Sequence, residues 1–351
     1  MPVKMNHRIS IKQIMSKIQI MSRYIMDYEN HFAGYSVMNN ICPEQDTESL
    51  LKERLKQVRL FVLDMDGTIY LSSRLFDFTM PFLKKLEETG RSYCYFTNNS
   101  SKNQQDYLNK LAGMGIPAAP DQMYLSTQVI IEEMQRIHPE DTFYIVGTPS
   151  LVNAFRQAGL HVFGDHLPAA SGSSSAALSR EDASCLTGSD QDSGKRDNAA
   201  GSRPDVVILG FDTTLTYEKL ARACKYLRHG ADYYGVNMDY NCPVDDNGVV
   251  DYIPDCGSIA KLIERSTGRF PDFYGKPSRH ALDFIIRHTG FREEEIAVVG
   301  DRIYTDIAIA NGTKALSIMV LTGETQLSDL DQYDYRPDII LPSLAEITEL
   351  L

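Results

Sequence analysis

The chain has 351 residues, of which 43% are hydrophobic and 23% charged, and its formal net charge at pH 7 is -12. This length predicts two domains, or one domain with a large insertion, and it suffices for a core without disulfides or structural metal. The negative charge disfavours nucleic acid as a partner, because a phosphate backbone is repelled. It is compatible with a hard divalent cation, since carboxylates are the usual protein ligands of magnesium.

The six cysteines are scattered, and none belongs to a Cys-x-x-Cys pair, so zinc-site and thioredoxin-type interpretations lack their spacing. A reducing cytosol is the simplest compartment for such a chain. No stretch reaches the roughly 18 consecutive apolar residues of a membrane-spanning helix. These features predict a cytoplasmic protein without a transmembrane segment.

Residues 1–46 differ from the rest of the chain and are predicted to be an N-terminal extension, partly helical or disordered. Isoleucines at 11, 14 and 18 recur at helical spacing with basic residues between them. One interpretation is a basic amphipathic helix that lies on an anionic membrane surface. The other is an accessory extension that reflects an over-extended start. The apolar core and cleavage site of a secretory signal are absent from this segment.

From Val58 onward, apolar runs alternate with helical patterns, which is typical of a parallel α/β sheet. The predicted strands span 59–63, 93–96, 142–146, 206–209, 233–236, 296–299, 315–321 and 338–341. The predicted helices span 80–89, 104–114, 150–158, 217–229, 258–265, 278–288 and 343–350. The segment 171–203 fits neither class, because it is rich in serine and glycine and too poor in large aliphatic residues to offset its ordering entropy. We expect a disordered, solvated insertion there, with a regulatory phosphorylation segment as the alternative.

Polar side chains that suit one chemistry follow four separate apolar runs. They are Asp64, Asp66, Thr97, Asn98, Lys276, Asp301 and Asp306. An aspartate after a strand is often only a helix cap, but four such segments in this order are hard to explain as caps. In a parallel sheet these positions share the carboxyl edge, where ligands bind. Acids gathered at one edge repel each other unless a divalent cation neutralises them, so the pattern predicts a metal-dependent site.

The residue types predict phosphoryl transfer through a covalent aspartate. Asp64 is the expected nucleophile, since a carboxylate can attack phosphorus and form an aspartyl phosphate. Asp66 is the expected general acid, which protonates the leaving oxygen and then deprotonates the attacking water. Magnesium is expected on the carboxylates of Asp64 and Asp301 and on the backbone carbonyl of Asp66.

Three further residues are expected to hold the phosphoryl group. Thr97, Asn98 and Lys276 would bind the phosphoryl oxygens, where charge develops in the transition state. Asp306 is expected to orient either metal-bound water or Lys276 without binding the metal itself.

At these residues the sequence resembles the haloacid dehalogenase superfamily of phosphohydrolases. Asp64-Met65-Asp66-Gly67-Thr68 is similar to its first motif, Thr97 to its second, Lys276 to its third, and Gly300-Asp301 with Asp306 to its fourth. The similarity runs from about Val58 to the C-terminus, apart from the segment 171–203. It implies a Rossmann-like three-layer α/β sandwich with a parallel sheet, and magnesium as the cofactor.

The motif spacing indicates the branch of the superfamily. One helix and one strand fill the interval between Asp66 and Thr97, whereas the interval from Thr97 to Lys276 has room for a whole domain. An insertion at this place resembles the second type of cap, a smaller α/β domain, and runs at 145–150, 210–212 and 216–220 are similar to the NagD and para-nitrophenyl phosphatase branch. The resemblance implies a core at 47–124 and 255–351, and a cap at 125–254 that contains a disordered insertion at about 168–204.

Known members of that branch hydrolyse small phosphomonoesters, so the resemblance implies a magnesium-dependent phosphatase for a small phosphorylated metabolite, with a homodimer through the cap as a further implication. This chain has Asn237-Met238-Asp239 where the branch commonly has Asn-Pro-Asp. The backbone is freer without the proline, and substrate positioning is therefore expected to differ. Asn237 and Asp239 are candidates for substrate contact, with a role in a turn as the alternative.

Three other functions are alternatives to a phosphatase. A catalytically silent binding or regulatory protein would keep the fold without turnover, but no predicted catalytic position is replaced in this chain. A phosphotransferase would use the same intermediate with a second acceptor pocket. A dinucleotide-binding oxidoreductase requires Gly-x-Gly-x-x-Gly after a strand, which the sequence lacks.

Overall fold

The computed structural model describes residues 53–163, 203–246 and 249–351, and it forms two parallel sheets flanked by helices. The strands are β1 (Leu60–Leu63), β2 (Tyr70–Leu71), β3 (Arg74–Leu75), β4 (Ser92–Thr97), β5 (Met123–Leu125), β6 (Thr142–Val146), β7 (His161–Val162), β8 (Val206–Leu209), β9 (Asp232–Gly235), β10 (Asn241–Asp246), β11 (Val249–Pro254), β12 (Asp272–Phe273), β13 (Ile296–Gly300), β14 (Leu316–Val320) and β15 (Ile339–Leu341).

The α-helices are α1 (Thr79–Glu88), α2 (Gln104–Gly113), α3 (Ser126–Ile137), α4 (Pro149–Gln157), α5 (Tyr217–Arg228), α6 (Cys256–Thr267), α7 (Arg279–Thr289) and α8 (Leu344–Leu350). Shorter helical turns lie at Pro120–Gln122, Glu293–Glu295, Ile303–Ile307, Ala308–Ala310 and Leu327–Gln332. The predicted N-terminal extension, and nearly all of the predicted insertion at 168–204, lie outside the described residues. Among the described helices, none combines the length and the apolar character that crossing a bilayer requires.

The first sheet has the strand order β15-β14-β13-β1-β4-β5, and every neighbouring pair is parallel. Its central strands β1 and β13 are buried along their whole length, because helices cover both faces. Helices α1, α2 and α8 pack on one face, and α3 and α7 pack on the other. Strands buried on both faces are continuous apolar runs in the sequence, which is why they were predictable. The predicted three-layer α/β fold is confirmed.

The second sheet has the order β12-β9-β8-β6-β7 and is also parallel. Helices α5 and α6 cover one face, whereas the other face joins an apolar cluster that also contains residues of the first sheet. In that shared cluster Phe143 and Ile208 of the second sheet lie with Val62 of the first and with Ile130 of α3. The smaller inserted α/β unit is therefore present, and its core is continuous with that of the larger one.

The cap unit, defined here as β6–β12 with α4–α6, begins after α3 and ends at β12, whereas the sequence predicted a cap at 125–254. The prediction returned to the core at residue 255, but β12 pairs with β9 of the second sheet through the register Phe273↔Gly235. Helix α6 also packs there, because Ile259 and Ile263 are buried in the same cluster as Leu209. We propose on this basis that the boundary lies near Phe273.

Every predicted strand and helix is confirmed, with ends that differ by at most two residues. Elements absent from the prediction include the antiparallel hairpin of β10 and β11, the helix α3 and the short strands β2, β3, β5, β7 and β12. The sequence does contain a signal for the hairpin: the dipeptide Asn247-Gly248 stands between its two strands. This dipeptide is typical of two-residue hairpin connections.

Candidate active site

The two predicted metal-binding acids meet at the carboxyl edge of the first sheet. Strands β1 and β13 pair in parallel through the register Leu63↔Val299. Asp64 comes directly after β1, and its N–H donates to the carbonyl of Val299 at 2.9 Å. Asp301 comes directly after Gly300, the last residue of β13. Parallel pairing thus places the two carboxylates on neighbouring strand ends, as the motif order predicted.

Lys276 reaches the same place from the other sheet. It follows β12, an edge strand of the second sheet, and Gly275 N–H extends the strand by donating to the carbonyl of Val236 at 2.7 Å. The expectation that all four motifs share one sheet edge is therefore wrong for this motif. The physical reason is that β12 pairs with β9, so the carboxyl edge of the second sheet directs the lysine toward that of the first.

The ammonium of Lys276 is buried between two carboxylates. Its side chain is 2% exposed, and Nζ lies 2.6 Å from Asp64 Oδ1 and 2.7 Å from Asp306 Oδ1. Nζ also donates to the carbonyl of Phe96 at 3.0 Å. Burial alone would lower the pKa of Lys276, but Asp306 and Asp64 outweigh it and raise that pKa. The lysine therefore stays cationic inside the protein, and its contact with Asp306 favours Lys276 over metal-bound water as the group that Asp306 is predicted to orient.

A third carboxylate, that of Asp301, lies close to the two that contact this lysine. One oxygen from each of Asp64, Asp301 and Asp306 lies within 4.8 Å of the others. Burial raises the pKa of Asp64 well above its ordinary value against the opposing charge of Lys276, and burial raises the pKa of Asp301 to about 7. Three carboxylates this close together repel each other, and a divalent cation would neutralise that repulsion.

Asp301 has a free buried oxygen. Its Oδ2 accepts from Glu324 N–H at 2.6 Å, whereas its Oδ1 is buried without a hydrogen-bond partner among the described residues. Gly67 has φ +89°, and a Cβ there would lie 2.6 Å from Asp301 Cγ, so only glycine lets the backbone approach so closely. An unpartnered buried carboxylate oxygen is costly unless a ligand satisfies it. The site therefore fits a hard divalent cation such as magnesium.

The carboxylate of Asp66 has different partners from those three acids. Its Oδ1 accepts from Ser72 N–H at 3.0 Å, and its Oδ2 lies 3.8 Å from Lys110 Nζ. Burial raises the pKa of Asp66, while Ser72 and Lys110 oppose that rise. A carboxyl group with a raised pKa suits the general acid that the sequence predicted. That its backbone carbonyl binds the metal stays a prediction.

Sequence reasoning missed Lys110. It lies on α2, 3.9 Å from the ring centroid of Tyr70 as well as beside Asp66. No local signal marks it, because most helix lysines are solvated and this one is distinguished only by what the fold places next to it.

Thr97 and Asn98 lie where predicted, at the end of β4. Thr97 Oγ1 accepts from Asn99 N–H at 3.2 Å. The amide of Asn98 donates to Asp239 Oδ1 at 2.9 Å and to the carbonyl of Lys276 at 3.0 Å, and it accepts from Lys276 N–H at 2.9 Å. Both amide hydrogens are thus used within the protein. The Asn98 side chain holds Lys276 in place, so its predicted phosphate contact would have to come from its backbone.

The two candidate substrate contacts in the cap are buried. Asn237 is 0% exposed, accepts from Ser100 Oγ at 3.4 Å and donates to Asp255 Oδ1 at 3.3 Å. Asp239 is 5% exposed, and its second oxygen accepts from Arg302 Nη1 at 2.9 Å. In this structure both side chains bind the protein itself, which differs from the expected role in substrate contact.

Comparisons with known proteins agree with this geometry. The family model described as haloacid dehalogenase-like hydrolase matches residues 61–161, and a second, HAD-hydrolase-like model matches residues 273–347. The structure of a 4-nitrophenylphosphatase from Thermotoga maritima is 35% identical, with a TM-score of 0.68 over 84% of this chain and 98% of that one. The chain belongs to the haloacid dehalogenase-like hydrolases.

Two further proteins are similar to this chain, one in sequence and one in fold. An acid sugar phosphatase of Staphylococcus aureus is 28% identical over 297 residues, which cover 84% of this chain and 99% of that protein. NagD from Escherichia coli K-12 shares the fold, with a TM-score of 0.63 at 23% identity over 82% of this chain and 98% of that one. The chain is therefore a phosphatase, in the branch of the nitrophenyl phosphatases and of a nagD protein that is 34% identical over 84% of this chain.

Proposed function

We propose that this protein is a magnesium-dependent phosphatase that hydrolyses a small phosphomonoester through an aspartyl phosphate on Asp64. The observation that carries the proposal is the cluster of Asp64, Asp301 and Asp306, of which Asp64 and Asp306 contact the buried ammonium of Lys276. A structural ion pair needs one acid, whereas this site has three, together with an unsatisfied oxygen. Such an excess of buried negative charge is costly for stability and supports a function in binding.

The reaction has two displacements at phosphorus. In the first, a carboxylate oxygen of Asp64 forms a bond to phosphorus, and the bond to the ester oxygen breaks as that oxygen takes the proton of Asp66. In the second, Asp66 removes a proton from water, whose oxygen attacks phosphorus and releases inorganic phosphate. Asp64 and the protonated Asp66 are regenerated. Lys276 stabilises the charge on the phosphoryl oxygens in both displacements, with Thr97 as a predicted further partner.

The residues that would hold magnesium are the carboxylates of Asp64 and Asp301 and, as predicted from the sequence, the backbone carbonyl of Asp66. The carboxylate of Asp306 belongs to the same group of acids. When bound, the metal supplies positive charge that lets an anionic nucleophile approach an anionic phosphate.

The substrate is proposed to be small. Residues of the cap unit contact the site directly: Asp239 bonds to Asn98 and Arg302, and Asn99 Nδ2 lies 3.5 Å from Cys242 Sγ. A site bounded by two sheets in this way suits a metabolite better than a phosphoprotein. The curated relatives are named for sugar phosphates and the structural ones for nitrophenyl phosphate, and this enzyme is proposed to act on esters of that size. The cytoplasmic location and the homodimer stay predictions.

The test is phosphate release from para-nitrophenyl phosphate, measured with magnesium, with chelator, and with the Asp64→Asn variant. Asp283→Asn is the matched control. The Asp283 side chain is 41% exposed on α7, where it forms an ion pair with Arg279. We expect metal-dependent turnover that Asp64→Asn abolishes and Asp283→Asn retains. Turnover in Asp64→Asn above about 1% of the wild-type rate would contradict the nucleophile assignment.

Two other outcomes separate the alternative functions. Transfer of the phosphoryl group to an added alcohol in preference to water would favour a phosphotransferase. Absence of turnover on this ester and on a panel of phosphorylated metabolites, in folded protein loaded with magnesium, would favour a binding protein with the same fold.

A further inference from the structure

We infer that Asp239 is a positioning residue that links the cap unit to the lysine and to the metal-binding acids of the active site. The inference rests on the proposed function, since it concerns how that site is held in its working geometry. Asp239 comes after β9 in the cap unit, whereas its two partners, Asn98 and Arg302, come after β4 and β13 of the first sheet.

Asp239 uses both carboxylate oxygens for these two partners. Its Oδ1 accepts from Asn98 Nδ2 at 2.9 Å, and its Oδ2 accepts from Arg302 Nη1 at 2.9 Å. The side chains of Arg302 and Asp239 are 12% and 7% exposed, so this ion pair is shielded from water. Removing one member of a buried pair leaves the other charge uncompensated, and such pairs therefore hold their geometry firmly.

The first branch of the link leads to the lysine. Asn98 donates its second amide hydrogen to the carbonyl of Lys276 and accepts from Lys276 N–H, so its amide clamps the backbone of that residue. The ammonium at the other end of Lys276 contacts Asp64. A shift of Asp239 therefore moves the group that holds the lysine beside the nucleophile.

The second branch leads to the acids. Arg302 N–H donates to Asp306 Oδ2 at 3.0 Å, and Arg302 Nε lies 2.9 Å from Glu324 Oε2. The N–H of Glu324 in turn donates to Asp301 Oδ2 at 2.6 Å. Arg302 thus fixes Asp306 through its backbone and Asp301 through Glu324. Both acids of the fourth motif depend on an arginine that is itself held by the cap unit.

This arrangement makes the working geometry of the site conditional on the position of the cap unit. Hydrogen bonds weaken steeply with distance and angle, so a displacement of about 1 Å at Asp239 loosens both branches together. Misplacement of reacting groups by about that distance can lower a rate on the order of 100-fold. Asp239 therefore acts on turnover through Lys276, Asp301 and Asp306 without touching the substrate.

The experiment is a double-mutant cycle of Asp239→Asn and Arg302→Gln in the full chain. Asn keeps the size of Asp239 and one acceptor oxygen but removes the charge. The readouts are kcat and KM for para-nitrophenyl phosphate, magnesium affinity by calorimetry without substrate, and thermal stability. Asp212→Asn is the matched control, because Asp212 is also a buried aspartate of the cap unit in an ion pair, at 2.7 Å from Lys219.

We expect each single variant to lower kcat at least tenfold, to weaken magnesium binding severalfold, and to leave KM within about threefold of the wild type. The double variant should be no worse than the worse single variant, since the link is already broken. Asp212→Asn should lose thermal stability while keeping kcat and magnesium affinity. If Asp239→Asn fails to fold, Arg302→Lys gives the same comparison, because lysine keeps the charge but lacks the planar fork that reaches both carboxylates.

Two results would overturn the inference. A rise in KM with unchanged kcat would make Asp239 a substrate contact, and a loss of stability alone, as in Asp212→Asn, would make it a structural ion pair. If the wild-type protein shows no turnover, the proposed function fails, and the magnesium affinities of the same variants still decide the inference.

Discussion

Gly323 lies so close to Asp301 that a Cβ built on its backbone would be 2.0 Å from Asp301 Oδ2. Real Cβ atoms do not approach an oxygen so closely, so the carboxylate can occupy its position only because residue 323 has no side chain. The backbone at Gly67 also comes close to Asp301, from another side. Asp301 Oδ2 is thus held by the protein, whereas Oδ1 has no hydrogen-bond partner among the described residues.

Gly323→Ala is therefore expected to weaken magnesium activation by tenfold or more, because the new methyl group must displace the carboxylate or the loop that carries Glu324. The measurement is the magnesium concentration that gives half-maximal turnover. Gly113→Ala is the control, since a Cβ at that helical position meets nothing within 4 Å. An unchanged activation midpoint in Gly323→Ala would show that the loop relaxes freely and that Asp301 does not need this close approach.

Lys110→Gln should lower kcat about tenfold, because Lys110 Nζ is the cation next to Asp66 Oδ2 and keeps that carboxyl group oriented. The binding of the phosphate should change little, so KM is expected to stay within about threefold. Steady-state kinetics on para-nitrophenyl phosphate checks both values. Lys84→Gln is the control, since that lysine is 76% exposed on α1. Equal kcat values for the two variants would show that Lys110 does not contribute to proton transfer by Asp66.

Asp255 is expected to make the free energy of unfolding decrease with pH. Burial raises the pKa of Asp255 to about 7, Asp239 adds to the rise, and the N–H of Cys256 opposes it. The unfolded chain releases this proton near pH 3.9, so between about pH 4 and 7 the folded state binds more protons than the unfolded state. Stability therefore falls as pH rises through that interval.

Asp255→Asn should reduce this pH dependence, because the amide does not titrate. The urea midpoint is measured at pH 5 and pH 8 in chelator, and the difference between the two pH values should be smaller in the variant than in the wild type. The metal-site acids are the same in both proteins, so their contribution to the pH dependence of stability cancels in the comparison. An identical pH dependence would mean that Asp255 ionises as readily in the folded chain as in the unfolded one.

Deleting residues 171–203 is expected to change kcat and KM by less than about threefold. Val162 and Val206, near the two ends of that segment, are both paired with Phe143. Strands β7 and β8 lie on either side of β6, so Val162 and Val206 are about two strand spacings, roughly 10 Å, apart. The residues retained at 163–170 and 204–205, with a short glycine-serine connection, are long enough to span that distance. Kinetics of the shortened protein on a small ester is the measurement. A large rise in KM would show that the segment contributes to substrate binding.

The sequence predicted those parts of the fold whose physics is local or repeats along the chain. Strands such as β1 and β13 are buried on both faces and therefore form apolar runs, and the acids that follow them necessarily meet because the strands pair in parallel. Asp64, Asp301 and Asp306 could be placed at one edge for this reason.

The parts that escaped prediction depend on contacts between distant segments. Strand β12 has two residues, too few for any pattern, and pairs with β9 only because the helix between the two strands packs on the same sheet. Asp239 looked available to a substrate because nothing near it in the sequence shows that Asn98 and Arg302 will occupy its oxygens. Burial and pairing of a single polar residue are decided by the assembled structure.

The delivery of Lys276 by an edge strand of the second sheet has a consequence for the modularity of this enzyme. A chain shortened by joining the two halves of the first sheet would keep Asp64 and Asp301, yet it would lose the strand that directs the ammonium to them. The inserted unit is thus inseparable from the chemistry and is not an accessory that could be exchanged between relatives at will. A chimaera that grafts a foreign cap onto this core would have to bring its own lysine strand in the same register.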